Sequence, residues 1–434
     1  MKLIWILIYK IILNPVVMGL FLPALLVWRK ARQSITAHYG LFQRIKKKLD
    51  QINTHKPIVW VHVASAGEYL QAKSMIQIFI KNNYHIFVTV TSISGYNWLK
   101  REKNENLFFD FLPLDFLYNA KKILNLVKPA CLIFVKTDIW PNILSQAKKY
   151  SIPTALICAP SRNAGSGIKK SFYQFLYSNF NAVFTVNAEG EKFYKRILNA
   201  DTIIQTVGDS KYDIVHDRKK EKSIQLTGIK SNDICALLGS VWPEDLKVIS
   251  DSVLRALEKY PHLKIIAAPH ENDNKHVNEL ADIFQEYKPV LFSDLKSNNE
   301  NSRQNKKQSF KLSNRVLIVD TIGDLFFLYE NSNIAYVGGG FSTGIHNILE
   351  PCAMQNAVIF GPKYQKFPEA ENLLSDGCVF TINNTAEFEQ VFNDLILNKK
   401  IRTKKANAGY HFITRYKGAS QKLYGQILKL IKRS

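Results

Sequence analysis

Cysteine is scarce in this chain, and its spacing indicates neither a metal site nor a disulfide framework. The 434 residues contain five cysteines and no CxxC pair. Most of them lie inside apolar, strand-like runs, which is typical of buried thiols in a reducing compartment. The sequence therefore predicts no bound metal and no disulfide bond. The cysteines are Cys131, Cys158, Cys235, Cys352 and Cys378.

Acidic residues are also in short supply. Aspartate and glutamate total 36 against 58 lysines and arginines, so the formal net charge is +22. A positive field of this size supports solubility and favours anionic partners, such as nucleic acid, acidic lipid headgroups or phosphorylated substrates. Hydrophobic residues make up 46% of the chain, which is enough for sizeable cores, and the length predicts two or more domains.

The N-terminus lacks the small-residue cleavage motif of a secretory signal peptide. It is nevertheless strongly apolar, and its longest uncharged run, Ile11–Trp28, has eighteen residues, the lower limit for a bilayer span. Basic clusters at 29–32 and 44–48 would keep the rest of the chain on the cytoplasmic side by the positive-inside rule. We expect residues 1–32 to be a membrane anchor, either one span or a helix lying in the interface. A buried helix of the soluble part is the alternative.

From Pro57 onward, apolar strand-like runs alternate with helical stretches. The runs have few polar interruptions, which is typical of a parallel sheet covered by helices on both faces. We therefore expect two Rossmann-like, doubly wound α/β domains at 33–212 and 233–400, joined by a charged linker at 213–232. A C-terminal helical segment, 401–434, should pack back on the domains. The polar stretch Ser293–Asn314 is typical of a disordered loop.

The stretch Val337–Leu374 carries the pattern most typical of a binding site. An apolar strand ends in Gly338, Gly339 and Gly340, a polar loop follows, and a helix is predicted to begin near His346. Glycines let the backbone approach a ligand closely, and a helix N-terminus presents N–H groups and a positive dipole to an anion. In a parallel α/β domain this pattern predicts a nucleotide or sugar-phosphate site. A plain tight turn explains the glycines equally well.

Polar residues cluster where the predicted strands end. Ligands of open parallel sheets bind beyond the carboxyl ends of the strands, so we expect a cleft between the two sheets. Simpler roles exist as well, because a first-turn carboxylate such as Glu68 suits the helix dipole and Asp138 suits an N-cap. The strand-end residues are Ser65, Gly67, Glu68, Lys136, Asp138 and Arg162 in the first series, and Gly239, Ser240, His270, Asp320 and Gly361 in the second.

Six short motifs occur in order along the chain: Ser65-Ala66-Gly67-Glu68, Thr137-Asp138-Ile139-Trp140-Pro141, Gly208-Asp209, Gly239-Ser240, Asp320-Thr321-Ile322-Gly323-Asp324-Leu325 and His346-Asn347-Ile348-Leu349-Glu350-Pro351. Together they resemble the 3-deoxy-D-manno-octulosonic acid (Kdo) transferases of lipopolysaccharide assembly, over nearly the whole chain. The resemblance implies a GT-B fold, CMP-Kdo as donor and a lipid A precursor, lipid IVA, as acceptor. It also implies inversion without a metal or cofactor, at the cytoplasmic side of the inner membrane.

The resemblance further implies roles for single residues. Glu68 matches the general base that deprotonates the acceptor hydroxyl, a role that suits a carboxylate whose pKa is raised. Glu350 and Asn347 match residues that hold the donor nucleotide, and backbone N–H groups around Ser342–Ile345 would stabilise the leaving phosphate. The other predicted donor-site residues are Gly239, Ser240, His270, Gly339, Gly340, Gly344 and His346. The predicted acceptor or cleft residues are Ser65, Gly67, Asp138, Arg162 and Lys211.

Three positions depart from the family's pattern. The family usually has an acidic residue where Lys136 stands, and an arginine at the positions of Pro269 and Lys211. Lysine cannot form the bidentate fork that arginine makes with a phosphate or carboxylate. The reaction class does not depend on these positions, but individual donor contacts do.

Three other functions fit parts of the pattern. A sugar-nucleotide epimerase shares the two-domain architecture but needs no hydrophobic N-terminus. A membrane-tethered nucleic-acid-binding protein would explain the charge of +22, but its aromatic residues should alternate with basic ones on an exposed face. Here they lie in the apolar runs, so we expect no nucleic-acid partner. A lipid-linked glycosyltransferase with a different donor is the main alternative.

Overall fold

The computed structural model describes residues 2–9, 36–52, 55–163, 165–297 and 307–433. It divides the chain into two compact units: Met1–Ile214 with Gly418–Ser434, and Val215–Lys417. Each unit contains one seven-stranded sheet. Within the described ranges, no helix is both long and apolar enough to cross a membrane.

The strands of the first unit are β1 (Ile58–Val63), β2 (His85–Val90), β3 (Leu107–Phe111), β4 (Cys131–Val135), β5 (Thr154–Ala159), β6 (Ala182–Thr185) and β7 (Ile203–Thr206). They form a parallel sheet of order β3-β2-β1-β4-β5-β6-β7. Val61 of β1 lies between Val88 of β2 and Ile133 of β4. The order reverses between β1 and β4, the switch point at which doubly wound sheets bind ligands.

The helices of this part of the chain are α1 (Lys2–Leu7), α2 (Leu41–Leu49), α3 (Ala66–Lys81), α4 (Ile93–Leu99), α5 (Leu117–Val127), α6 (Pro141–Lys149), α7 (Gly167–Tyr177), α8 (Ala188–Ile197) and α9 (Lys211–Arg218). Ser65, Ser92 and Asn187 begin α3, α4 and α8, and each side chain accepts a backbone N–H of its helix. These caps satisfy donors that the first helical turn leaves free. They explain why short polar segments after apolar strands start helices here.

The apolar runs are buried on both faces of this sheet. Trp60, Phe87 and Phe134, on three neighbouring strands, are fully buried. Strands covered on both faces must be apolar at nearly every position, which is why these segments show no polar–apolar alternation. The prediction of a doubly wound parallel sheet is therefore confirmed.

The strands of the second unit are β8 (Ser223–Thr227), β9 (Ile234–Val241), β10 (Leu263–Pro269), β11 (Val290–Leu291), β12 (Lys307–Lys311), β13 (Val316–Ile318), β14 (Ile334–Val337), β15 (Ala357–Phe360) and β16 (Phe380–Thr381). The main sheet is parallel, of order β11-β13-β10-β9-β14-β15-β16. Its switch point lies between β9 and β14. The second unit is thus also doubly wound, as the sequence predicts.

The helices of the second unit are α10 (Pro243–Lys259), α11 (Asn274–Ile283), α12 (Phe292–Ser297), α13 (Leu325–Leu328), α14 (Leu349–Ala353), α15 (Pro368–Ser375), α16 (Thr385–Leu397) and α17 (Lys399–Arg415). Proline stands at the start of α10 and of α15, where its missing N–H costs no hydrogen bond. Phe388 and Phe392 of α16 pack in the core beneath the sheet, and the Phe388 ring contacts that of Tyr336 in β14.

Two segments expected to be irregular contain ordered strands. β8 lies inside the predicted linker 213–232, and β12 lies inside the predicted disordered loop 293–314, whose residues 298–306 fall outside the described ranges. The two strands form a separate parallel pair, with Leu226 opposite Phe310. Leu226 and Phe310 are both buried. Each strand is five residues long with only one or two apolar side chains, too few for a clear signal in a charged sequence.

The last helix, α18 (Ala419–Arg433), returns to the first unit. Its Leu423 and Ile427 are fully buried in that unit's core, and the ring of Tyr424 meets Phe79 of α3 at 4.8 Å. The Asp213 carboxylate accepts the backbone N–H groups of Gly418 and Ser420 at 2.6 and 2.7 Å. A carboxylate at a helix N-terminus is stabilised by the free N–H groups and the helix dipole.

The predicted membrane anchor lies mostly outside the described residues, because 10–35 are not described. The described part, 2–9, packs on the first unit: Trp5 donates to Ser171 Oγ at 3.1 Å, and the Tyr9 hydroxyl donates to Asp115 at 2.7 Å. Two of the basic residues expected to keep the chain on the cytoplasmic side, Arg44 and Lys48, form ion pairs with the buried Asp110 at 2.8 and 3.0 Å. Their positive charges are therefore partly neutralised by a buried carboxylate of the fold. Membrane attachment stays a prediction.

Candidate functional site

Glu68 lies in the first turn of α3, directly after β1. Its Oε2 accepts the backbone N–H of Ala64 at 2.6 Å, and its own N–H donates to the Ser65 side chain at 3.4 Å. One carboxylate oxygen therefore turns back over the start of the helix. Among the described residues, Oε1 has no hydrogen-bond partner. Glu68 thus caps the helix with one oxygen and keeps the other available.

The surroundings of Glu68 make it a stronger base. Burial raises the pKa of the Glu68 carboxyl, and the charge of Asp138 adds to this effect, while the Ala64 N–H and Lys136 oppose both. A carboxylate with a raised pKa accepts a proton more readily near neutral pH. The residue predicted to be the general base therefore has an environment suited to that role.

Asp138 follows β4, beside Glu68 at the switch point. Its Oδ2 accepts a hydrogen bond from His62 Nε2 at 3.1 Å and from the Thr91 hydroxyl at 3.0 Å. Burial alone would raise the pKa of Asp138, but these hydrogen bonds and the attraction of His62 outweigh it and lower the pKa. Asp138 is thus a tightly held carboxylate and not a helix cap, since α6 begins three residues later at Pro141.

The other predicted residues of the first unit serve several purposes. Lys211 forms an ion pair with Asp209 at 3.3 Å, and Arg162 lies over the Tyr173 ring at 6.0 Å. Ser65 is the N-cap of α3, and a side chain at Gly67 would meet only the Ser65 hydroxyl at 3.9 Å. Lys136 has a left-handed backbone conformation, φ 60°, which is uncommon for a lysine. The structure therefore groups Glu68, Asp138 and Lys136, and does not show Arg162 in contact with them.

The glycines after β14 are required by the protein's own backbone. A Cβ on Gly338 would overlap the Ser240 carbonyl, and a Cβ on Gly340 would overlap the backbone of Gly361. Gly339 has φ +91°, and a side chain there would collide with the Gly344 carbonyl. Tight packing among the ends of β9, β14 and β15 thus accounts for all three glycines. Their pattern by itself is no sign of a ligand.

The loop after these glycines uses most of its backbone donors internally. The N–H groups of Ser342 and Gly344 both donate to the Gly339 carbonyl, at 3.0 and 2.9 Å, and that of Ile345 donates to Lys363. Three of the four N–H groups that were expected to meet a phosphate are therefore engaged. The expected role of this loop as a phosphate cradle does not fit the structure.

The helix expected to begin near His346 begins at Leu349 and has only five residues. The His346 N–H donates to the Gly338 carbonyl at 3.0 Å, which holds this residue in the loop. The Asn347 side chain accepts the Leu349 N–H at 3.0 Å, and asparagine favours such capping positions over helix interiors. His346 and Asn347 are therefore loop and capping residues at the strand ends.

Three rings stack where β9 and β10 end. The Trp242 ring lies 3.9 Å from that of His270, which in turn lies 4.5 Å from that of His346. Trp242 Nε1 donates to His346 Nε2 at 3.0 Å. Burial lowers the pKa of both histidines, and the neighbouring His270 lowers that of His346 further. The stack presents neutral imidazoles next to Ser240, whose φ of 54° turns the chain sharply.

Glu350 lies on α14 and is not a free surface carboxylate. It forms an ion pair with Arg218 at 2.7 Å, and the Arg218 guanidinium lies 4.3 Å from the Phe326 ring. Burial raises the pKa of Glu350, and the charge of Arg218 opposes that shift. Asp324, in the motif after β13, is paired similarly with Lys222 and Lys296. The second unit thus holds basic side chains against its acidic motif residues.

One group of described residues has ligand atoms close enough for a metal ion. Glu271, Asp273 and His276 place theirs within 4.8 Å of one another, near the end of β10. Asp273 already caps α11 and accepts from His276 at 2.7 Å, so its oxygen is in use. The group is exposed and is explained by helix capping.

Comparison with known proteins relates this arrangement to one family. A family model described as 3-deoxy-D-manno-octulosonic-acid transferase (kdotransferase) matches residues 35–214. The 3-deoxy-D-manno-octulosonic acid transferase of Haemophilus influenzae is 27% identical over 386 residues, covering 87% of this chain and 88% of that protein. Over most of its length, the chain is therefore similar to the Kdo transferase family.

Solved structures place the fold in a wider class. A putative UDP-N-acetylglucosamine 2-epimerase from Listeria monocytogenes has a TM-score of 0.59 at 13% identity, covering 87% of this chain and 98% of that one. A glycosyltransferase from Rickettsia africae has a TM-score of 0.53 at 14% identity, covering 87% and 100%. At such identities the likeness concerns the fold alone. It confirms the predicted GT-B type, and the similarity to Kdo transferases supports a glycosyltransferase.

Sequence reasoning missed the residue that organises the glycine loop of the second unit. The Asp245 carboxylate, fully buried in the first turn of α10, accepts the N–H of Gly339 at 2.7 Å and the hydroxyl of Tyr336 at 2.9 Å. It also accepts the N–H of Trp242 at 2.9 Å and that of Phe341 at 3.4 Å. An acidic residue two positions after Pro243 predicts a helix start, but nothing in the sequence links it to glycines more than 90 positions away.

Replacing Asp245 should loosen the glycine loop. In Asp245→Asn, the NH2 group of the amide points at a backbone N–H in either orientation of the side chain, so two donors face each other. We therefore expect the free energy of unfolding to fall by about 2–3 kcal/mol. Asp251→Asn, an exposed position on the same helix, should change it by less than about 0.5 kcal/mol. Urea unfolding of both variants measures the difference. Equal stability of the two would contradict the role given to Asp245.

Proposed function

We propose that this protein transfers Kdo from CMP-Kdo to a lipid A precursor of the lipid IVA type, with inversion at the anomeric carbon. The observation that carries the proposal is Glu68, a carboxylate with one oxygen available and a raised pKa, at the switch point of a sheet in a chain similar to Kdo transferases. This similarity supports the sugar that is transferred. Incubating the purified protein with CMP-Kdo and lipid IVA and weighing the product tests both substrates.

The proposed reaction is a single displacement. Glu68 takes the proton from the acceptor hydroxyl as that oxygen forms a bond to the anomeric carbon. The bond from this carbon to the phosphate oxygen of CMP breaks, and its electron pair leaves with CMP. Attack on the face opposite the leaving group inverts the configuration. One carboxylate base is sufficient, and no covalent enzyme intermediate is required.

The second unit supplies the groups that we assign to the donor. Trp242 donates to His346 Nε2, and an indole N–H cannot accept, so the neutral His346 ring carries its hydrogen on Nδ1. This N–H has no partner among the described residues and suits a phosphate oxygen. Glu350 and Asn347 lie on and before α14 and suit the hydroxyl groups of a ribose. Gly239 and His270 border the same strand ends.

Two other reactions remain outcomes of the same assay. The epimerase fold is close to this one, so release of an altered nucleotide sugar without any lipid product would favour that activity. Transfer from a different nucleotide sugar onto a lipid acceptor would keep the reaction class and change the donor. Both are recognised by the mass of the products.

Glu68→Gln should abolish most of the activity while the fold persists. The amide can still cap α3 but cannot take a proton, and loss of a general base typically lowers the rate about 10²–10⁴-fold. Glu189→Gln is the matched control, because Glu189 is an exposed first-turn carboxylate of α8. Turnover and melting temperature are measured on one preparation of each variant. A fully active Glu68→Gln protein would restrict Glu68 to helix capping.

Glu350→Ala should weaken binding of the nucleotide. If its carboxylate accepts hydroxyl groups of the donor, we expect a loss on the order of 1.5–3 kcal/mol of binding free energy for CMP. Calorimetric titration with CMP measures this loss, and Glu371→Ala, an exposed glutamate on α15, serves as the control. An unchanged CMP affinity would remove Glu350 from the donor site and restrict it to its ion pair with Arg218.

We also propose attachment to the cytoplasmic face of the inner membrane. The apolar run Ile11–Trp28 and the basic residues after it support this proposal. Hydrophobic insertion predicts that the protein floats with vesicles even in concentrated salt, because salt screens charge attraction but leaves apolar burial intact. Release of the protein by salt would show that charge alone holds it.

A further inference from the structure

A chain of buried hydrogen bonds runs through the first sheet to Asp138. Trp60 Nε1 of β1 donates to Thr89 Oγ1 of β2 at 2.8 Å, and Thr89 Oγ1 lies 3.0 Å from His62 Nδ1. The other ring nitrogen of His62, Nε2, lies 3.1 Å from Asp138 Oδ2. Trp60, Thr89 and His62 are all fully buried. Three polar side chains on two central strands would be costly without such mutual bonds.

The donors and acceptors in this chain can be assigned one by one. An indole N–H only donates, so Thr89 Oγ1 accepts from Trp60. The Thr89 hydroxyl hydrogen then has one acceptor among the described residues, His62 Nδ1. Since Nδ1 accepts, Nε2 carries the hydrogen of the ring and donates it to Asp138. Thr89 thereby sets the tautomer of His62, and with it the direction of the bond to Asp138.

Charged and titratable groups face the two carboxylates from several elements. His62 of β1 and Lys136 from the end of β4 interact electrostatically with Glu68. Tyr9, in the segment after α1, is hydrogen-bonded to Asp115, and the charge of Asp138 helps to raise the pKa of its hydroxyl. Lys136 stabilises the charged form of Glu68 and so weakens it as a base. Asp138 raises the pKa of Glu68 and so partly offsets the effect of Lys136.

We propose that Trp60, Thr89 and His62 form a relay that holds the Asp138 carboxylate at the strand ends, so that a second negative charge stands beside the general base Glu68. His62 is then a positioning residue that acts through Asp138 and touches no substrate. The inference rests on the proposed role of Glu68. It assigns a purpose to a buried histidine that the reaction itself does not use.

The first test removes the charge and reads the pH dependence of kcat/KM. A neighbouring negative charge raises the pKa of a carboxyl, by one unit or more at close range. In Asp138→Asn the Glu68 pKa should fall, so the acid limb of the profile should move to lower pH by about one unit. The plateau rate should fall as well, because the base is weaker. An acid limb that stays in place overturns the electrostatic role of Asp138.

The second test breaks the relay at His62. In His62→Asn the amide lies where Nδ1 was and reaches Thr89 but not Asp138, whereas in His62→Gln it lies near Nε2 and can still donate to Asp138. Without its donor, the Asp138 carboxyl is protonated at a higher pH, and the charge beside Glu68 is lost earlier as the pH falls. The acid limb of His62→Asn should therefore move in the same direction as in Asp138→Asn. His62→Gln should restore the original limb. A purely structural histidine would lower the melting temperature of both variants and leave both profiles in place.

Thr91→Val keeps the test valid if substitution of the buried His62 prevents folding. Thr91 is only partly buried and donates to the same Asp138 oxygen at 3.0 Å, so its removal should shift the acid limb in the same direction by less. No shift in Thr91→Val and His62→Asn would overturn the relay. Glu68→Gln separates this inference from the proposed function. If Glu68→Gln is active, Glu68 is not the general base and the proposed function fails. If it is inactive but the acid limbs of the other variants do not move, only the relay fails.

Discussion

The second unit depends on one buried charge, the Asp245 carboxylate. A fully buried carboxylate is tolerated only where hydrogen bonds replace its lost hydration, and Asp245 receives them from the strand end, the glycine loop and its own helix start. These donors fix where β14 ends and how the loop after it turns. The positions of His346 and Asn347 follow, because His346 is bonded to the first glycine of that loop. Asp245, which has no assigned role in the reaction, therefore positions His346 and Asn347, which we assign to the donor.

Both units hold a carboxylate in place at the ends of their strands, but with different hydrogen-bond donors. In the first, a relay of side-chain hydrogen bonds reaches a carboxylate at the strand ends, while in the second a buried carboxylate accepts hydrogen bonds from backbone N–H groups and the Tyr336 hydroxyl. Both place fixed polar groups at the switch point of a parallel sheet. Lys136 fits this scheme, because a positive charge beside Glu68 makes a second, firmly held carboxylate more useful than it would be elsewhere.

Much of the fold follows from the sequence, since strands buried on both faces leave long apolar runs that few other structures need. Glu68 was recognisable too, because a serine, a glycine and a glutamate after such a run mark a helix start. The hydrogen-bond and ion-pair partners of the site residues could not be recognised from the sequence. His62 reaches Asp138 across two strands, and Arg218 reaches Glu350 over 132 positions, distances along the chain at which no local pattern exists. β8 and β12 were missed because each offers too few apolar side chains. The helix after His346 starts late because the Asn347 side chain, in the loop, accepts the N–H of Leu349, the first residue of the helix.

The return of α18 to the first unit has a consequence for synthesis. Residues 215–417 form a unit that is continuous in sequence, so all of its parts are present once residue 417 has left the ribosome. Most of the first unit is made earlier, yet part of its core, Leu423 and Ile427, is made only after the whole second unit. Until then the Phe79 ring of α3 lacks its contact with Tyr424. The hydrophobic core of the first unit, which holds Glu68, is therefore completed only after the whole second unit has been synthesised.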